Sequence, residues 1–139
     1  MDDRKIKSFK TFNKIMVNGI LWFAAGILAY LAVDNCLRAL QNDEGAELII
    51  EVIMHLIMLG SAVLLVKASF DLRAMSYKGV KEILIAGMIA TAIFIIELIA
   101  VDWLGGYREI TFIYPLISFC WTIGVCRYYT LFQDEFTAY

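Results

Sequence analysis

Apolar residues gather in four runs along the chain, at 15–36, 47–67, 82–102 and 110–131, with short polar stretches between them. Each run approaches the ~20 consecutive apolar residues with which a helix crosses a hydrocarbon core about 30 Å thick. QNDEG (41–45), MSYKG (75–79) and LGG (104–106) fall between the runs and carry the residues that turns favour. Connections this short make successive helices antiparallel neighbours. The pattern therefore predicts a single all-α domain over residues 1–139, an integral membrane four-helix bundle of up-down antiparallel topology.

Composition strengthens that expectation. Of 139 residues 61% are hydrophobic, and the mean hydropathy is +0.73, whereas soluble domains are roughly 45–50% apolar. So little chain lies outside the four runs that a separate soluble catalytic domain is not expected. The first run, Ile15 to Val33, exceeds the ~7–15 apolar residues of a signal peptide and reads as a retained anchor.

The formal net charge of −2 conceals an asymmetry along the chain. Arg4, Lys5, Lys7, Lys10 and Lys14 precede the first run, Lys67, Arg73, Lys78 and Lys81 surround the second connection, and Arg127 closes the fourth run. Only Arg38 and Arg108 lie in the other two connections. Cytoplasmic flanks are enriched in Lys and Arg, so both termini are expected in the cytoplasm of a multi-pass inner-membrane protein. The basic arm faces lipid headgroups on this topology, and nothing in the charge pattern points to nucleic acid. Tyr107, Tyr114 and Trp103 at one edge, with Tyr77, Tyr128 and Tyr129 at the other, suit interfacial aromatic belts. Ala25 with Ala29, and Ala86 with Ala90, are small residues at helical spacing where backbones can approach. Cys36, Cys120 and Cys126 form no CxxC pair and read as small apolar fillers.

Candidate chemistry concentrates in EVIMHLIMLG (51–60), where Glu51 and the only histidine, His55, stand four residues apart in an otherwise apolar helix. Glu47, Glu51 and His55 share one face, and His55 lies about 12 Å further along the axis than Glu47. The topology also brings Asp34 from the first helix, and Glu97 and Asp102 from the third, into the same outer half of the membrane. An acidic side chain near a helix centre costs roughly 2.5–3.5 kcal/mol on insertion scales, so these groups should face protein, water or one another. Three roles compete for Asp34, Glu51, His55, Glu97 and Asp102: a buried polar clamp, a proton or cation path, and ligation of a metal or haem by His55. Within one helix the spacing is Glu-x-x-x-His and occurs once, which differs from the repeated Glu-x-x-His of di-iron bundles, so no metal or cofactor is expected. A second polar set, Asn18, Lys67, Asp71, Glu82 and Arg127, falls at the inner side and reads as interfacial anchors.

The chain has no nucleophile placed beside a base and no phosphate-cradling glycine loop, so a non-enzymatic role is expected. Its partners would be the lipid bilayer and either copies of itself or other membrane subunits. The alternative is a small proton or cation channel or transporter that uses the outer-half Glu/His/Glu cluster.

With the runs placed, IELIAVD (96–102) resembles the apolar segment closing on Val-Asp in the phosphate-starvation-inducible E family of small four-helix membrane proteins, and ELIIEVI (47–53) resembles its acidic entry to helix 2. The likeness extends over most of the chain in length and span order. It implies an inner-membrane location and a stress role, and no reaction. Glu97 stands where the family pattern has a basic residue, which reverses the charge and leaves His55 as the candidate cationic partner.

Overall fold

A computed structural model describes residues 2–42, 44–104 and 113–137, the side chains of 100–104 excepted. The described residues form four helices: α1 (Asp3–Asn42), α2 (Gly45–Arg73), α3 (Lys78–Leu104) and α4 (Ile113–Leu131). A short 3-10 turn, Gln133–Glu135, follows α4. The all-helical expectation holds, and each helix contains most or all of one apolar run. Three stretches, Asp3–Asn42, Gly45–Arg73 and Lys78–Ile99, are long and apolar enough to cross a membrane. The fourth run does form a helix, but Pro115, Arg127 and its hydroxyl and tyrosine residues keep it outside that group.

At 40 residues α1 is the longest element, about 60 Å and so twice the thickness of a hydrocarbon core. The basic arm belongs to this helix. Asp2 caps it, accepting a hydrogen bond from the Arg4 backbone N–H at 3.2 Å. A π-helical turn, Met16–Ile20, interrupts the ladder, and two side chains of α2 bind the backbone there. Ser69 Oγ donates to the Val17 carbonyl at 2.8 Å, and Arg73 donates to the same carbonyl at 3.4 Å and to the Asn18 side-chain Oδ1 at 3.0 Å. A widened turn changes which carbonyls the helix itself satisfies, and donors from α2 occupy the place.

Paired residues along the interfaces fix the topology. Asn13 meets Leu72 and Trp22 meets Ser69 between α1 and α2; Lys67 meets Glu82 and His55 meets Glu97 between α2 and α3; Cys126 meets Val80 and Thr91 meets Ser118 between α3 and α4. In every case a rising number on one helix faces a falling number on the next, so successive helices are antiparallel. Gly45, with φ +66°, opens α2 within the expected QNDEG stretch. α2 ends in a Schellman arrangement, where Ser76 N–H donates to the Asp71 carbonyl at 2.8 Å and Met75 N–H to Leu72 at 3.0 Å. Met75 takes the left-handed position, φ 56°, that glycine usually fills, and its sulfur lies 3.7 Å from Asn13 Nδ2.

The core divides along the bundle axis. Around the end holding the chain termini, Phe9, Met16, Leu21, Leu65, Leu72, Ile83 and Tyr129 are buried together. Phe9 stacks on Phe132 with ring centroids 4.7 Å apart, and Tyr129 donates its hydroxyl to Asn13 Oδ1 at 2.8 Å. These contacts close α4 against α1. Toward the other end a smaller group, Ala32, Met58, Ala90, Ile93 and Phe94, packs α1, α2 and α3. Ala86 and Ala90 are buried as expected, and between them Gly87 lets α4 approach so closely that an added Cβ would lie 2.0 Å from Thr122 Oγ1.

Candidate functional site

Helix periodicity explains how the cluster assembles. Glu51 and His55 are one turn apart on α2, so both point toward α3, and the antiparallel register carries Glu97 to the same level. His55 Nε2 lies 2.6 Å from Glu97 Oε1, with the two side chains 1% and 3% exposed. His55 Nδ1 lies 2.6 Å from the Glu51 backbone carbonyl and 3.5 Å from Glu51 Oε2. The Glu51 side chain is 27% exposed and forms the open side of the group. One ligand-type atom from each of the three residues falls within 4.8 Å of the others.

The hydrogen-bond inventory then constrains the chemistry. A backbone carbonyl only accepts, so Nδ1 carries a hydrogen and donates it to the Glu51 carbonyl. If Nε2 were unprotonated, its lone pair would face a carboxylate oxygen at 2.6 Å, which is repulsive. At this separation one of the two atoms, Nε2 or Oε1, therefore carries a proton. The pair is not an aligned hydrogen bond, because neither atom has a hydrogen-bond partner of good geometry among the described residues. The arrangement is a desolvated charge contact between two helices.

The other expected members are placed differently. Asp34 forms an ion pair with Arg38 on its own helix at 3.2 Å, partly exposed, and is not in the Glu51–His55–Glu97 group. Asp102 lies in the last turns of α3, and its side chain is outside the described residues. Cys36 of α1, read from the sequence as a filler, stands within electrostatic reach of Glu51. Only the antiparallel register of α1 on α2 reveals that neighbour.

The inner set separates into two groups. Lys67 bridges Asp71, at 3.0 Å, and Glu82, and so ties α2 to α3 close to the connection between them. Glu82 is buried and Lys67 is exposed. Asn18 instead pairs with Arg73 across the α1–α2 interface. Arg127 is exposed and makes no ion pair among the described residues. Sequence reasoning passed over the buried Asn13–Tyr129 bond and the Thr91–Ser118 bond at 2.9 Å, since hydroxyl and amide groups scattered in apolar runs carry no pattern of their own.

Comparison of the chain with family models, with curated proteins and with solved structures returns no match.

Proposed function

We propose that this chain is a small, non-enzymatic integral membrane protein in which the buried contact between His55 and Glu97 clamps α2 to α3. The observation that carries this reading is the 2.6 Å approach of two ionisable groups, 1% and 3% exposed, on separate helices. In hydrocarbon an isolated ionised group is costly, so each makes the other's burial tolerable and fixes the helix register. On this reading the three most apolar helices cross the inner membrane and α4, less apolar, crosses beside α3, on which it packs antiparallel, so both termini lie in the cytoplasm; the basic residues at the connection between α2 and α3 and along the N-terminal end of α1 support that orientation. A role as a homo-oligomer or as a subunit of a larger membrane complex, with a stress or sensing function, accords with the small size and with the resemblance to the phosphate-starvation-inducible E family.

The packing between the two charged clusters favours a clamp over a conduction path. Met58, Ala62 and Leu65 of α2, with Ile83, Ala86 and Ala90 of α3, are buried between the His55 and Lys67 levels, and the buried hydroxyls there are engaged elsewhere, Ser61 on the Ile57 carbonyl of its own helix and Thr91 on the Gly87 carbonyl and Ser118. Protons and cations need polar groups or water along a route. Reconstitution in liposomes tests the choice. The clamp predicts no proton or monovalent-cation flux above empty vesicles. Flux through the native chain that Glu97→Gln abolishes would contradict it and establish transport instead.

A further inference from the structure

We infer that Glu51, His55 and Glu97 form a binding site for one divalent first-row transition-metal ion of the Zn²⁺ class. The inference rests on the clamp reading, because it names the cation that can replace the proton between the same groups. Four observations lead to it. First, the three side chains bring one nitrogen and two carboxylate oxygens within 4.8 Å of one another. Second, His55 Nε2 and Glu97 Oε1 are buried and lack hydrogen-bond partners among the described residues, although they lie 2.6 Å apart. Third, His55 Nδ1 donates to the Glu51 backbone carbonyl at 2.6 Å. A metal-binding imidazole is normally held in this way, with the far N–H anchored on a carbonyl so that the other nitrogen offers its lone pair. Fourth, the Glu51 side chain is 27% exposed and gives the group an entry side.

Charge and donor type narrow the ion. Two carboxylates and a neutral imidazole carry two negative charges, which a divalent cation cancels and a single proton or monovalent ion does not. In a low-dielectric setting the neutral assembly is the favoured one. Ca²⁺ and Mg²⁺ prefer all-oxygen shells of six or more ligands, whereas imidazole with carboxylate suits Zn²⁺ and its neighbours. Bonds of about 2.0–2.2 Å in a tetrahedral arrangement hold ligand atoms roughly 3.3 Å apart. Binding therefore needs Nε2 and Oε1 to separate slightly and the Glu51 carboxylate to swing inward, motions within the reach of glutamate side-chain rotation. Water fills the fourth position on the exposed side. Helical spacing within α2 alone lacks the third ligand, which arrives from α3.

The test uses the purified full-length protein in detergent, stripped with a chelator, and titrated with Zn²⁺ followed by calorimetry and with Co²⁺ followed by its visible absorption. One ion per chain is expected, with the intense bands of a four-coordinate Co²⁺ site, and a large excess of Mg²⁺ should not compete. Glu97→Gln and Glu51→Gln should each weaken binding by about 100-fold or more, since even residues that merely orient a ligand contribute 10–100-fold. Glu51 is partly exposed, so its replacement is the variant expected to fold normally. Glu82→Gln, in the other charged cluster, should bind as the native chain does. Absence of stoichiometric binding by the native protein, or native affinity in both glutamine variants at positions 51 and 97, overturns the site. Either result leaves the clamp standing if His55 and Glu97 still show energetic coupling in chelator.

Discussion

Replacing His55 and Glu97 by leucine, singly and together, tests how the contact contributes to stability, and the structure sets the expected sizes. His55→Leu leaves the Glu97 carboxylate 3% exposed with its cationic neighbour gone. Breaking a buried pair in this way costs about 3–5 kcal/mol, and the lower end applies in a membrane, where the unfolded state also finds polar partners. Glu97→Leu leaves an imidazole that can become neutral, so its cost is that of one unsatisfied buried nitrogen, about 1–3 kcal/mol. The double variant leaves neither group unpaired. Its cost reduces to repacking, about 1 kcal/mol. Two results are therefore expected: His55→Leu is the more damaging single change, and the double variant is more stable than His55→Leu alone. Equilibrium unfolding in mixed detergent, in the presence of chelator and followed by circular dichroism, measures all four proteins. Single effects that add within about 0.5 kcal/mol would mean that the two side chains do not interact, because independent sites behave that way.

Other expectations follow from single contacts. Gly87→Ala should destabilise by about 1–3 kcal/mol, because its Cβ would fall 2.0 Å from Thr122 Oγ1; Gly26→Ala, with nothing within 4 Å, should be neutral or stabilise by up to about 1 kcal/mol, and thermal unfolding in detergent compares them. Asn13→Leu should cost about 1–3 kcal/mol by stranding the buried Tyr129 hydroxyl, and adding Tyr129→Phe should recover part of that loss in the same assay. Reporter fusions test the orientation: green fluorescent protein should fluoresce at either terminus in a bacterial host, while alkaline phosphatase should be active when inserted at position 43 and inactive at the C-terminus. Activity with the opposite pattern would invert the topology.

The helices were legible because long apolar runs interrupted by turn residues have few other solutions: α1 ends and α2 begins within QNDEG, and MSYKG separates α2 from α3, as expected, while most of the third signal, LGG, lies outside the described residues. Their extents were less so. The first helix continues through the charged arm to Asp3, because Phe9, Phe12 and Asn13 have an interface to occupy, made by Tyr128, Tyr129, Phe132 and Phe136 from the far end of the chain. Nothing local announces that surface. The candidate site was readable where it depends on depth: counting along antiparallel helices puts Glu51, His55 and Glu97 at one level. Depth does not give the angle around a helix axis, and for that reason Asp34 looked equivalent to Glu97 although it turns to Arg38. The same limit separated the inner set, since Asn18 and Lys67 lie on different interfaces. The π turn at Met16–Ile20 escapes pattern reasoning altogether, because its apolar residues and Asn18 suit an α-helix equally well.

The contact between α2 and α3 is open to direct measurement because His55 is the only histidine in the chain. Labelling histidine with ¹⁵N and glutamate side-chain carboxyls with ¹³C, followed by solid-state NMR of the protein in lipid bilayers, isolates this imidazole without mutation. Nε2 should show dipolar coupling to a carboxyl carbon at van der Waals contact, and that coupling should be lost in Glu97→Gln. An imidazole in the bilayer sample with no carboxyl carbon in reach of Nε2 would contradict the clamp.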